Sequence, residues 1–285
     1  MTDGKYIANI TCPDTTGLVA AVSGFLRDHQ CFMDESSQYG DPNTRRFFMR
    51  AVFTRSPQSP TADDLAQKFE VVARKFQMDW SFTPANKKPR VLIAVSKFGH
   101  CLNDLLHRWH TGQMPIDIAG VFSNHDEMRS LVEWHEIPYT HLPITPDTKP
   151  RQEAAWLKMV DDLKIDLVVL ARYMQVLSPD AAKRLSGKCI NIHHSFLPSF
   201  MGARPYQQAY ERGVKIIGAT AHSVTDGLDE GPIIEQAVER VDHTHSERDM
   251  IGIGRDLENV VLARAVKYHA EGRVLLNGHK TVVFR

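Results

Sequence analysis

Asn191 and His193 stand two residues apart in the stretch NIHHSFLP, where the apolar run CINIH gives out. In a β-strand, side chains at i and i+2 share one face and i+1 takes the other. A strand that persists to His193 therefore sets an amide beside an imidazole and sends His194 elsewhere. An amide NH₂ stabilises a developing oxyanion, and an imidazole moves a proton near neutral pH. The same alternation disfavours a metal clamp made from the adjacent His193 and His194. The competing reading is a polar strand end whose side chains satisfy loop backbone.

A second polar stretch, AHSVTDGLDEGPII, spans Ala221 to Ile234. Its carboxylates, Asp226, Asp229 and Glu230, have the chemistry to fix a histidine tautomer, position water or bind a cation, and an ordinary acidic turn is the alternative. Alternating EF-hand ligand spacing is absent from it. In CPDTTGLVAAV, the Asp14–Thr15–Thr16 segment suits the N-cap of a following helix, with Gly17 relaxing the turn. The exposed N–H groups of that helix start suit a carboxylate, and capping without a ligand is the plainer account. SKFGHCLNDL carries one glycine, so it is neither GxGxxG nor a P-loop. SFLPSFMGARPYQQA reads as a loop punctuated by Pro198 and Pro205. The four cysteines, Cys12, Cys31, Cys101 and Cys189, form no CxxC pair, which argues against a zinc site and a disulfide framework.

Two patterns of elements surround these stretches. Before TPANKKPR (Thr83 to Arg90), which reads as a linker, strands are expected near 6–10, 33–39, 47–54 and 78–82, and helices near 18–26 and 65–76. The order βαββαβ is that of a ferredoxin-like split βαβ unit. After the linker, the buried-type run VLIAVS opens an alternation of strands and helices that implies a doubly wound α/β sheet. Ligands bind outside the carboxyl ends of such strands. A long helix near 247–271 and two short apolar runs close the chain.

The 285 residues suit two domains, and 42% apolar with 24% charged residues is ordinary for a globular protein. Lys plus Arg and Asp plus Glu are 34 each, so no basic excess points to nucleic acid. No signal-peptide pattern and no apolar run long enough to span a membrane is visible, and a cytoplasmic protein is expected.

NIHHSFLPSFMGARPYQQAYERG, followed by GATAHSVTDGLDEGPII, resembles the formyltransferase-fold family that uses 10-formyltetrahydrofolate. That family carries N-x-H then S-x-L-P, and later D-x-x-x-x-G-P-[IV]-[IL]. LARYMQVLSP is similar to its strand and loop that cradle the pterin through backbone groups. The first 83 residues resemble an ACT domain, a module that often binds amino acids. The resemblance implies an N-terminal ferredoxin-like ACT regulatory domain at 1–83, a linker at 84–90 and a Rossmann-like doubly wound catalytic domain at 91–285.

It further implies site roles. Asn191 would steady the formyl oxygen, His193 would transfer the proton, and Asp226 would orient water and bias His193. Arg172, Tyr173, Met174, Gln175, Val176 and Leu177, with His194 and Ser195, would hold the folate. Asp14, Thr15, Thr16 and Gly17 would receive an amino-acid effector. The implied reaction is hydrolysis of 10-formyltetrahydrofolate to tetrahydrofolate and formate, the formate supplying purine synthesis and balancing one-carbon pools. Folate is then the substrate, no cofactor or metal is called for, and a homo-oligomer (dimer or tetramer) is expected.

Two alternatives remain at this point: transfer of the formyl group to an amine such as glycinamide ribonucleotide, and a non-catalytic amino-acid sensor. The chain departs from the transferases in three places. SKFGHCLNDL lacks their Gly-, Ser- and Asn-rich phosphate loop, and His194 stands where they commonly have proline. No room is expected after Arg285 for the barrel domain of methionyl-tRNA formyltransferase. With no evident acceptor seat, water is the expected nucleophile, and His194 is given a supporting part.

Overall fold

The computed structural model describes residues 4–199 and 204–285 and divides into two compact units. Residues 200–203 of the proline-punctuated loop lie outside the described residues.

The first unit runs β1 (Lys5–Pro13), α1 (Leu18–Asp28), β2 (Cys31–Asp41), β3 (Arg46–Arg55), α2 (Ala62–Phe76) and β4 (Asp79–Pro84). Its antiparallel sheet has the order β2-β3-β1-β4, the ferredoxin-like arrangement expected from the sequence. The two helices bury their apolar faces on this sheet, with Phe69 packed edge-on against Phe25 and Trp80. Thr61 caps α2 by accepting from the Asp64 backbone N–H while its hydroxyl donates to the Asp64 carboxylate.

The cap expected of Asp14, Thr15 or Thr16 is not found. The N-cap of α1 is Gly17, at φ 89, and no side chain bonds the helix start. A left-handed N-cap is a conformation that glycine adopts without steric cost.

The second unit runs β5 (Arg90–Val95), α3 (His100–His110), β6 (Asp117–Ser123), α4 (Arg129–Trp134), β7 (Tyr139–His141) and α5 (Lys149–Asp162). It continues through β8 (Leu167–Leu170), α6 (Pro179–Arg184), β9 (Cys189–His193), α7 (Pro205–Glu211), β10 (Ile216–Ser223), β11 (Ile233–Arg240) and α8 (Glu247–Ala270). The seven-stranded sheet has the order β11-β10-β9-β8-β5-β6-β7. The five strands from β9 to β7 are parallel, whereas β10 and β11 are antiparallel additions at one edge. The sheet is thus mixed, Rossmann-like with an antiparallel extension. Val91 to Val95 are all fully buried, which is why VLIAV reads as an unbroken apolar run.

The chain crosses from β5 outward to β6, and later returns on the other side of β5 to β8. The carboxyl ends of strands at such a reversal open a crevice for ligand. Ser96, just beyond β5, ties its two walls together. Its N–H donates to the Arg172 carbonyl, its hydroxyl donates to Asn124 Oδ1 at 2.7 Å, and its Oγ accepts from the Met174 N–H at 3.0 Å. The loop that follows β8 is thereby fixed at its root.

Two strands, β12 (Val274–Asn277) and β13 (Lys280–Val283), form a terminal hairpin. Residues 271–285 group with the first unit, and the second unit is 88–270, which corrects the boundary of 91–285 drawn from sequence. Buried Arg50 explains the grouping: its Nε and Nη2 donate to the Glu271 carbonyl. Asn277 Nδ2 adds a 2.6 Å bond to Asp41 Oδ2. No helix among the described residues is long and apolar enough to cross a membrane.

Candidate active site

Asn191 and His193 lie on one face of β9, and antiparallel β10 brings His222 directly opposite Asn191 and Thr220 opposite His193. Cross-strand neighbours sit about 5 Å apart, so three polar side chains converge where the sequence reading placed two. The third, His222, is buried. Its Nδ1 faces the Ser223 carbonyl at 2.9 Å, so Nδ1 carries the proton and Nε2 is an acceptor. Asn191 Nδ2 lies 3.3 Å from that Nε2. One amide hydrogen is committed to His222, which fixes the side-chain orientation and leaves the second hydrogen for a ligand.

The carboxylate at His193 is Asp229, whose Oδ2 lies 3.1 Å from His193 Nδ1, while Oδ1 lies 3.6 Å from His222 Nε2. Asp226, given this part from sequence, is exposed and turns back to accept from the Gly227 N–H. The loop geometry makes the difference. Asp229 adopts a left-handed backbone, at φ 58, that returns its side chain toward the sheet. Gly231 then passes so close to β10 that a Cβ there would lie 1.6 Å from the Ser223 carbonyl oxygen. Burial opposes ionisation of Asp229, yet the hydrogen bond from His193 leads the interactions that outweigh it and hold the carboxyl far below its usual range. With Nδ1 held by Asp229, the free nitrogen of His193 is Nε2, which is buried and has no hydrogen-bond partner.

Asn191, His193, His222 and Asp229 line a cleft of about 290 Å³ that also takes in Arg172 to Leu177 and the exposed Asp226, which forms no hydrogen bond or ion pair with His193 there. Tyr173 turns its side chain into the core, where it packs edge-on against Phe122 and bonds Gln152, so its backbone faces the cleft. Burial pushes the Tyr173 phenol up to about 12. His194 lines the cleft as well, because β9 ends at His193 and strand alternation goes no further. Its ring stacks on His193 with centroids 5.1 Å apart. Burial, the Arg172 charge and His193 push the His194 pKa down to about 3.

Ser195, expected at the folate, is not part of this cleft. Its hydroxyl donates to the Ser199 carbonyl, and its own carbonyl accepts from Thr220 Oγ1. Thr220 also receives the Leu197 N–H and Gln236 Nε2, so it anchors the loop behind His193.

A second cavity, of about 330 Å³, shares Arg172, Met174 and His194 with the cleft. Its base is an ionic cluster that the sequence reading missed. Glu258, almost fully buried, bonds His100 and Tyr206 at 2.7 Å each and lies 3.4 Å from Arg172 Nε. Burial works against its ionisation, but the His100 hydrogen bond, the Arg172 charge and the Tyr206 hydroxyl together hold the carboxyl below its usual range. Among the described residues, His100, Cys101 and Glu258 form one group of metal-ligand types with donor atoms within 4.8 Å. The His100 bond and the Arg172 guanidinium already satisfy that carboxylate without a cation.

The strand-end Asn-x-His pair, the returning carboxylate and the mixed sheet define a Rossmann-like catalytic domain of the formyltransferase fold. A sequence profile of the formyl transferase family matches residues 89–266. The formyltetrahydrofolate deformylase of Corynebacterium sp. (strain P-1) is 53% identical over 281 residues, covering 99% of this chain and 98% of that protein. The Bacillus subtilis (strain 168) formyltetrahydrofolate deformylase is 49% identical, covering 96% and 92%. The crystal structure of the Burkholderia mallei formyltetrahydrofolate deformylase is similar with a TM-score of 0.94 and 51% identity, over 99% of this chain and 100% of that one. Glycinamide ribonucleotide transformylase 1 from Symbiobacterium toebii is similar over 72% of this chain and 97% of its own, at TM-score 0.66 and 28% identity. The chain belongs to the formyl transferase family, in its formyltetrahydrofolate deformylase branch.

Proposed function

We propose that this chain hydrolyses 10-formyltetrahydrofolate to tetrahydrofolate and formate. The observation that carries the proposal is the paired geometry of His193. Asp229 holds Nδ1, so the lone pair of the ring lies on Nε2, beside the free amide hydrogen of Asn191.

In the reaction, His193 Nε2 takes a proton from water as the water oxygen bonds to the formyl carbon. The carbonyl oxygen becomes an oxyanion held by Asn191 Nδ2. Asp229 stabilises the imidazolium that forms, as a buried carboxylate does beside a catalytic histidine. The intermediate collapses, the carbon–N10 bond breaks, and the proton on His193 passes to N10. Formic acid leaves and ionises, so formate, tetrahydrofolate and one released proton are the products, and atoms and electrons balance without a further reactant. Backbone groups of the loop tied down by Ser96 hold the folate head group. His222 positions Asn191 and does not touch the reacting atoms.

Water is the nucleophile in this reading, supported by the deformylase relatives that match nearly end to end. The onward use of formate in purine synthesis rests on the resemblance alone. Purified protein given 10-formyltetrahydrofolate and no amine tests the proposal. Stoichiometric formate supports it, and formyl loss only on addition of an amine acceptor overturns it.

The first unit is read as an ACT-type regulatory domain, on its ferredoxin-like topology and its exposed 14–17 turn with uncapped N–H groups at α1. The effector is then an amino acid whose carboxylate meets that helix start. Titrating the common amino acids against formate release tests it, and no effect from any of them removes the assignment. Edge strand β2, with Phe32 71% exposed, is the proposed surface of a homo-oligomer.

A further inference from the structure

The second cavity has the make-up of an anion site. Three arginines line it, Arg172, Arg204 and Arg255, against two carboxylates, Glu247 and Glu258. Glu258 is fully engaged by His100 and Tyr206. Arg172 is only partly engaged: it is 9% exposed, its Nε pairs with Glu258 at 3.4 Å without the alignment of a hydrogen bond, and its Nη1 has no hydrogen-bond partner. A buried guanidinium with unused donors is costly unless an anion completes it.

The other walls agree. Phe98 lies against both Arg172 and Arg255, with guanidinium carbons 5.8 and 5.5 Å from its ring centroid. One arginine is thus buried at the inner wall and the other is exposed at the outer. Helix α3 starts at this cavity with no side-chain cap and no acidic residue in its first turn, so its first N–H groups are unclaimed by side chains.

We propose that this cavity receives the formate anion, a small monocarboxylate, as it leaves the reacting centre; the proposal rests on the hydrolase reading and deepens it. When the carbon–N10 bond breaks, tetrahydrofolate still fills the first cleft. The formyl carbon is then beside His193 and His194, and His194 lines both the cleft and the second cavity. Arg172 meets the carboxylate there, and Arg255 draws it outward. A planar guanidinium matches a carboxylate edge with two parallel N–H donors.

The test has a binding arm and a kinetic arm on the full chain. Sodium [13C]formate titrated into the resting protein should show saturable broadening of its signal. Saturating tetrahydrofolate should leave that binding in place, and Arg255→Gln should weaken it at least ten-fold. During turnover, formate should inhibit non-competitively against 10-formyltetrahydrofolate, because it leaves first, while tetrahydrofolate inhibits competitively. Formate binding that tetrahydrofolate abolishes, or that Arg255→Gln leaves unchanged, overturns the site, as does displacement of formate by a lower concentration of inorganic phosphate. Turnover without formate binding removes the site alone. Formate binding without acceptor-free turnover removes the hydrolase reading and leaves an anion site without a reaction.

Discussion

Asp229 grips His193 Nδ1 from 3.1 Å, across a loop that returns from the far end of the neighbouring strand. The contact joins a residue at the end of β9 to one beyond β10, and it decides which ring nitrogen meets substrate. The carboxylate three residues earlier, in the same TDGLD stretch, has no part in it.

Asn191→Ala removes the oxyanion donor. A single such donor is worth about 3 kcal/mol of barrier, so kcat should fall by about 10²-fold or more with KM little changed. Steady-state formate release measures both constants, and a rise in KM at constant kcat would assign Asn191 to substrate binding instead.

His222→Phe keeps the ring volume and removes the acceptor that orients Asn191. An approximately ten-fold loss in kcat is expected. The loss should vanish in an Asn191→Ala background, because contacting residues couple and their effects do not add. Additive losses in the double variant would mean that His222 acts on its own.

How far these roles could be read without the fold depends on where the information lies. The pairing of Asn191 with His193 was legible because strand periodicity is local. The parallel part of the second sheet was legible because buried parallel strands are unbroken apolar runs, whereas the antiparallel direction of β10 and β11 was not. Helix α6 went unread although its signal was present: Ser178 accepts from the Ala181 N–H, and Pro179 sits at the first helical position. Choosing between Asp226 and Asp229 needs the left-handed turn at Asp229 and the close pass of Gly231, and neither shows in a one-dimensional pattern. The terminal hairpin joins the first unit through contacts such as Arg50 with Glu271 and Asn277 with Asp41, separated by more than half the chain.

His194 should make the protein acid-sensitive. Its pKa falls from 6.5 in the unfolded chain to about 3 in the fold. Between those values the unfolded state binds the extra proton, so stability rises with pH there and is lost as pH drops. From pH 7 to pH 5 this group alone removes about 2 kcal/mol. Urea denaturation of the wild type and His194→Asn at both pH values measures it. The variant should lose less on acidification, and equal losses would contradict the assignment.

Phe32→Lys places a charge on the exposed edge strand β2. Charged edges resist strand pairing. Light scattering should show a smaller assembly than the wild type, with acceptor-free activity measured alongside. An unchanged mass would locate any oligomer contact elsewhere.

The central claim is tested most directly by formate release from 10-formyltetrahydrofolate, without any amine acceptor, in Asp229→Asn and Asp226→Asn side by side. Losing the carboxylate that holds a catalytic histidine costs about 10⁴-fold in comparable sites. Asp229→Asn should therefore be close to inactive, and Asp226→Asn should keep most of the wild-type rate. The opposite order, or two variants equally active, would contradict it.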